Sequence, residues 1–416
     1  MGTPFYRETV LPNGLRVATK NFPGTRTFSL AIVVRRGSRH DPPRLAGLAH
    51  FLEHLVHKGT KRWKDSDRIS AQFESKGLEE NALTSRSYTS FYIYEAMPRL
   101  LEYCFDFLTE IVVNPLLEEE AISPEKGVIV DEHFTYKDRS EIEIEELLSR
   151  MLYLHSPLGR RIEGSPETIG RIQRSDLVRM HQKYYVPNNM IVVAVGNIQH
   201  RTIVKLARHY LGHLPSQFVA ISPARNSRLS NQHRRRICRP ALNVAYVNVG
   251  TKFTNLTPKE MAVLEILGNV LSGSTLSRLY KLIRTKLGKV YSINSLVNDL
   301  GDSQELVIDT APLHQDLEQI INLTLSELKK LKETSISAKE LKLAKTIIAA
   351  SYYRGNEYSG GFFDEFITSL VQGTIKNSFA GAIPIIRSIT LADVRAFLDQ
   401  HFDLERFRIA IIAPKK

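Results

Sequence analysis

His50-Phe-Leu-Glu53-His54 is the stretch of this chain best suited to chemistry. On a helix, positions i, i+3 and i+4 share one face, so both imidazoles and the carboxylate can converge on one point. Two neutral imidazoles four residues apart can bind one zinc ion, which leaves Glu53 free as general base toward a metal-bound water. A catalytic zinc site has three protein ligands and one open position. Glu132, in Glu125-Lys-Gly-Val-Ile-Val-Asp-Glu132, is the candidate third ligand. Glu125 lies two helical turns earlier and so on the same face. One carboxylate can ligate while the other orients a histidine from behind. Two bland readings compete: histidines packed on a partly buried helix, and a glutamate pair on a solvated one. A serine or cysteine nucleophile has no support, because no Gly-x-Ser-x-Gly elbow is present and Cys104 and Cys238 form no CxxC pair.

The elements that must position these residues repeat along the chain. A single core rarely grows past about 250–300 residues, so 416 residues imply two domains. Ile172-Gln-Arg-Ser-Asp176 opens a capped amphipathic helix followed by an apolar strand at 190–195. Ile389-Thr-Leu-Ala-Asp393 opens another, with its strand at 407–412, at a constant offset of 217 residues. Earlier elements correspond more loosely. An apolar strand at 28–34 matches one at 242–249, and helical runs at 45–57 and 258–271 follow them. Next come strand pairs at 84–94 and 290–306, then long amphipathic helices at 98–113 and 313–331. The expected fold is α+β: two homologous domains, each a mostly antiparallel sheet with helices on one face. Residues 1–215 carry the metal motif, 216–240 read as a basic linker, and 241–416 form the second domain.

Charge and composition narrow the class. The net charge is +12, but residues 1–215 and 241–416 carry only +3 each. The remaining six charges are Arg225, Arg228, Arg234, Arg235, Arg236 and Arg239, with no acidic residue among residues 216–240. No zinc-finger, RNP or phosphate-binding motif accompanies them, so no nucleic-acid partner is expected. The first twenty residues hold no apolar signal region, and no run reaches the roughly 18 apolar residues of a membrane span. Two unpaired thiols fit a reducing compartment. The expectation is a cytoplasmic protein, or one of an organellar matrix after loss of a presequence.

The chain resembles the M16 metallopeptidases, the pitrilysin and insulinase clan whose HxxEH order is called inverzincin. It is most similar to the short subgroup of mitochondrial processing peptidase and its bacterial relatives. The matching residues are Gly47-Leu-Ala-His50-Phe-Leu-Glu53-His54, Lys58-Gly59-Thr60, Asn81-Ala82-x-Thr84-Ser85, Thr89-x-Phe91-Tyr92 and the EKGVIVDE segment. Beyond them lie His155-x-Pro157-Leu158-Gly159-Arg160, Gly164, Ser277-Arg278-Leu279 and Arg284-x-Lys286-Leu287-Gly288-x-x-Tyr291.

The resemblance implies a zinc metalloendopeptidase with one Zn2+ per chain held by His50, His54 and Glu132, Glu53 as base and Glu125 behind a ligand. It implies that Asn81 and Ala82, on an edge strand, hold an extended peptide, and that Arg284 and Tyr291 reach substrate near the scissile carbonyl from the second domain. The two domains would form half of a clamshell, with a second chain completing a closed chamber; both motif sets in one chain permit a homodimer, and a heterodimer is open. The other reading is a non-catalytic partner or structural core subunit, though such chains usually lose ligands or base. Departures from the family pattern are Leu78 for a glycine, Glu79-Glu80 before Asn81, and His57 where an apolar or aromatic residue is usual. His57 and His133 are rival ligands in principle. The acidic run Glu141, Glu143, Glu145, Glu146 reads as a solvated face or an attractor of basic peptide residues.

Overall fold

The computed structural model describes residues 6–219, 227–357, 359–375 and 381–415. The chain divides into two compact units, each gathered around its own sheet. The first comprises Met1–Thr135, Arg160–Pro223 and Asn356–Val371; the second Tyr136–Gly159, Ala224–Gly355 and Gln372–Lys416.

The first sheet is built from β1 (Arg7–Val10), β2 (Arg16–Asn21), β3 (Phe28–Val34), β4 (Glu79–Thr84), β5 (Thr89–Ala96) and β6 (Met190–Gly196). Their order is β1-β2-β6-β3-β5-β4. β2 and β6 run parallel and the other neighbours antiparallel. The second sheet holds β7 (Arg234–Cys238), β8 (Tyr246–Thr254), β9 (Val290–Asp299), β10 (Ser303–Pro312) and β11 (Arg408–Ala413), in the order β7-β11-β8-β10-β9. Here β7 and β11 are the parallel pair. Putting β7, β11, β8, β10 and β9 for β2, β6, β3, β5 and β4 reproduces the first topology apart from its edge strand β1. Both units are α+β layers of one design. The helices that anchor the repeat, Arg174–Tyr184 and Leu391–His401, keep the offset of 217 at both ends, each behind a capping box.

Burial explains the sequence of each strand. Every residue of the central strands β3 and β6 is buried, so both read as unbroken apolar runs. The edge strands β1 and β4 alternate or stay exposed. Helices cover both faces of each sheet, not one as the pattern suggested. In the first unit, Phe91 and Ile93 face the core that holds the helix Leu101–Val113. Tyr92 and Tyr94, on the opposite face of the same strand, meet Phe363 of the helix Ser359–Gln372 at ring distances of 6.4 and 5.6 Å. In the second unit, Ile409 and Ile411 join one core, while Ala410 and Ile412 pack with the helix Ser140–Leu152. These extra covers are related: shifting 140–152 by 217 residues gives 357–369. Each half of the sequence thus supplies one helix to the unit built by the other half.

The basic stretch also differs from its reading as linker. Arg234–Cys238 is β7, the counterpart of β2, with its outer flank carrying arginine. Charged side chains protect an open sheet edge from pairing with other chains. Arg234 pairs with Glu318, Arg236 donates to the Pro414 carbonyl at 2.5 Å, and Arg239 lies 3.5 Å from Asp138. Three of the five described arginines there are held within the fold. Residues 220–226, Arg225 among them, lie outside the described residues. Among the described residues, no helix is long and apolar enough to cross a membrane.

Candidate metal centre

The helix Leu48–Leu55 starts at a point only glycine can occupy. Gly47 has φ +96°, and a Cβ there would stand 2.4 Å from the Glu163 carbonyl oxygen. The free N–H groups of the first turn have no side-chain cap of their own; Gly47 and Ala49 both donate to Asp41 Oδ2 at 3.2 Å. Leu48, Ala49, Phe51, Leu52 and Leu55 enter the core. That anchors the helix and turns His50, Glu53 and His54 toward the helix Glu119–Asp138, which carries Glu125 and Glu132.

Three ligand atoms converge. His50 Nε2 and His54 Nε2 each lie 3.6 Å from Glu132 Oε2. Donors about 2.0–2.2 Å from a tetrahedral ion stand roughly 3.3–3.6 Å apart, so the spacing suits a single ion. His50, His54 and Glu132 form a metal-competent group among the described residues, with ligand atoms within 4.8 Å of one another. Glu132 Oε2 is buried without a hydrogen-bond partner, as are His50 Nδ1 and Glu53 Oε2. Buried polar atoms without partners are costly and rare, and a cation between the His50 and His54 Nε2 atoms and Glu132 Oε2 would satisfy Glu132. The residues fit the ion.

Electrostatics prepare the same set. Burial, then the neighbouring His54 imidazole, pushes the His50 pKa down to about 3, which keeps the ring neutral with a lone pair to offer. His54 Nδ1–H donates to Glu125 Oε1 at 2.8 Å, fixing the tautomer that leaves Nε2 free. Lys58 Nζ lies 2.6 Å from Glu125 Oε2. Burial alone would raise the Glu125 pKa, but the hydrogen bonds from His54 and Lys58 outweigh it and hold the carboxyl below its ordinary value. Glu53 is shifted the other way: burial raises its pKa, only partly offset by the Thr84 hydroxyl and the imidazoles of His54 and His57. A carboxylate with raised proton affinity is a better proton acceptor near neutrality.

The remaining candidates fall into place separately. Asn81 and Ala82 lie on β4, the edge of the first sheet. The rival ligands point elsewhere: His57 faces Glu80, and His133 Nδ1 lies 3.3 Å from Glu163 Oε1. Arg284 and Tyr291 belong to the second unit. Arg284 sits on a π-helical turn, Tyr280–Lys286, closed by Gly288 at φ +62°; such turns recur at functional sites. Its guanidinium is 5.9 Å from the Tyr291 ring, and Tyr291, on the edge strand β9, is 89% exposed. In the acidic run, Glu141 accepts from the Tyr246 hydroxyl at 2.7 Å and Glu143 from Arg150 at 2.9 Å, so two of its members are bound within the second unit. Sequence reasoning missed Asp41 altogether, and it named Lys58, Thr84, His57 and Glu80 without their contacts to the motif, which come from outside its helix.

Similarity to known proteins bears on the same residues. A family model described as Insulinase (Peptidase family M16) matches residues 16–165, and one described as Peptidase M16 inactive domain matches residues 171–348. An uncharacterized zinc protease of Mycobacterium tuberculosis is 26% identical over 413 residues, covering 98% of this chain and 93% of its own. The beta subunit of the mitochondrial-processing peptidase of Lentinula edodes is 30% identical over 321 residues, 74% of this chain and 66% of that one. The crystal structure of a protease from Helicobacter pylori matches with a TM-score of 0.87 at 21% identity, over 98% of this chain and 99% of the other. The motif resemblance therefore holds across both halves, and the chain belongs to peptidase family M16.

Proposed function

We propose that this chain is a zinc-dependent endopeptidase that cleaves peptides or unfolded segments bound in extended form. The observation that carries the reading is the convergence of His50 Nε2, His54 Nε2 and Glu132 Oε2 beside a buried Glu53 oxygen without a partner. One zinc per chain would be held by His50, His54 and Glu132, with Glu125 fixing His54. When bound, zinc acidifies water and polarises the scissile carbonyl. Glu53 takes the proton from the attacking water and returns it to the leaving amine, so no covalent enzyme intermediate is required. Asn81 and Ala82 hold the extended peptide at the sheet edge, Ala82 through its main chain and Asn81 through its side-chain amide. Arg284 and Tyr291 are proposed as donors to the substrate near the reacting carbonyl. Residues 1–215 would carry the chemistry and the second half would complete the substrate site, in a pair of identical chains.

The test is hydrolysis of a quenched fluorescent peptide by wild-type protein and Glu53→Gln, with zinc measured on the same samples. Both should hold zinc, and Glu53→Gln should lose at least ~10² in kcat, the usual worth of a positioned proton acceptor. Wild-type protein that carries zinc and cleaves no peptide would overturn the reading in favour of a non-catalytic subunit.

A further inference from the structure

We propose that His57 and Glu80 form a brace that fixes the free edge of β4 against the metal-binding helix, and so sets the seat of an extended peptide relative to Glu53. Both are positioning residues, and the inference rests on the peptidase reading above. His57 lies just beyond the helix Leu48–Leu55. Its Nδ1 donates to the Glu53 carbonyl oxygen at 3.1 Å and its Nε2 to Glu80 Oε1 at 2.8 Å. Both partners only accept, so the ring carries both protons and the contact to Glu80 is a charge-assisted hydrogen bond. The Glu80 carboxylate is 5% exposed.

The main chain gives this side-chain contact its meaning. β4 has a single neighbour, β5. The hairpin closes with Ser85 N–H donating to the Tyr88 carbonyl at 2.8 Å. In an antiparallel ladder, hydrogen-bonded pairs alternate with non-bonded ones. Counting back from Ser85, Leu83 and Asn81 bond to β5, while Ala82 and Glu80 turn their N–H and C=O groups outward. Asn81 Oδ1 accepts from the Ala82 N–H at 2.8 Å, covering one outward donor. A peptide adding to this edge would pair with Ala82 and Glu80. Glu80 thus offers its backbone outward and sends its side chain back to the helix that bears Glu53. An edge strand held on one side can shift, and a displacement of about 1 Å can cost on the order of 10² in rate. The brace opposes that shift.

Removing one partner leaves a buried charge alone, whereas replacing both by apolar groups of similar size is close to neutral for stability. The informative variant is therefore the double substitution His57→Phe/Glu80→Leu, studied beside Glu80→Leu. The double variant should regain the thermal stability that the single one loses and should keep zinc. It should nonetheless hydrolyse a ten-residue peptide with kcat/KM lowered about 10–100-fold, mainly through KM. A residue with only a structural role would recover both properties together. A second measurement does not depend on activity: amide hydrogen exchange at residues 79–84 of metal-free protein should be at least ~10-fold faster in the double variant, with β3 and β6 unchanged. Wild-type KM and wild-type exchange at 79–84 would overturn the brace. Absence of hydrolysis by the wild type would instead refute the peptidase reading, and the exchange experiment would still decide for or against the brace.

Discussion

At the scale of single residues, one member of the metal-competent group, His54, is held from behind. His54 presents Nε2 only while Nδ1 is occupied by Glu125, which Lys58 in turn keeps ionised. Glu125→Gln should therefore keep the fold and lower zinc affinity about 10–100-fold, the usual cost of losing such an outer partner. Competition with a chromogenic chelator measures it; wild-type affinity in the variant would mean that Glu125 is only a surface acid. The side chains that converge at the candidate site were legible in the sequence because i, i+3 and i+4 spacing on one helix, and two-turn spacing on another, translate directly into a shared face. His57 and Glu80 were not. His57 read as a rival ligand and Glu80 as a departure from the family pattern, and only the meeting of the helix end with the edge strand makes them a pair. Asp41 was hidden for a similar reason, since a cap normally adjoins its helix and this one reaches Gly47 and Ala49 from six and eight residues away.

At the scale of elements, periodicity located the long helices and central strands, whereas edges and crossings escaped it. β7 reads Arg-Arg-Arg-Ile-Cys, without the alternation of a half-buried strand, so it passed for linker. Nor can an amphipathic pattern say which sheet a helix will cover, which is why the exchange of Ser140–Leu152 and Ser359–Gln372 was invisible. Caps are legible and carry a pH signature. The helix Ala338–Glu357 begins with Glu340 accepting from the Ser337 N–H at 2.8 Å, while Arg278 binds the same carboxylate at 2.6 and 2.9 Å. The Arg278 hydrogen bonds, against some burial and helped by Ser337, pull the Glu340 pKa down to about 2. Because the folded value lies below the unfolded one of about 4.3, the stabilisation is fully present above the unfolded value and is lost as pH falls toward the folded one. Thermal melts should show Glu340→Gln less stable by a constant margin above about pH 5, with the margin shrinking below it. A margin independent of pH would contradict this assignment.

At the scale of the whole molecule, the duplication is one topology used twice, with a helix traded between the copies. Residues 136–159 belong to the second unit and 356–371 to the first. A cut between the halves would therefore leave each sheet with one apolar face uncovered, exposing in the second unit Ala410 and Ile412, which now pack against Leu147, Leu148 and Met151. Residues 1–215 and 241–416 expressed separately should give aggregated or molten products, and co-expression should recover a soluble pair. A cooperative thermal transition in either half alone would show that the traded helices are dispensable. The family architecture was readable from motifs spread over both halves, but the trade was not, because it changes neither the order nor the pattern of the elements. The central claim remains local: His50, His54 and Glu132 hold one metal ion beside Glu53. The most direct test is an anomalous difference map, recorded at the zinc edge, from crystals of Glu53→Gln grown with zinc. The account predicts one strong peak in each chain, about 2.0–2.2 Å from His50 Nε2, His54 Nε2 and a Glu132 carboxylate oxygen. No peak there, or a peak held by His57 or His133, would contradict it.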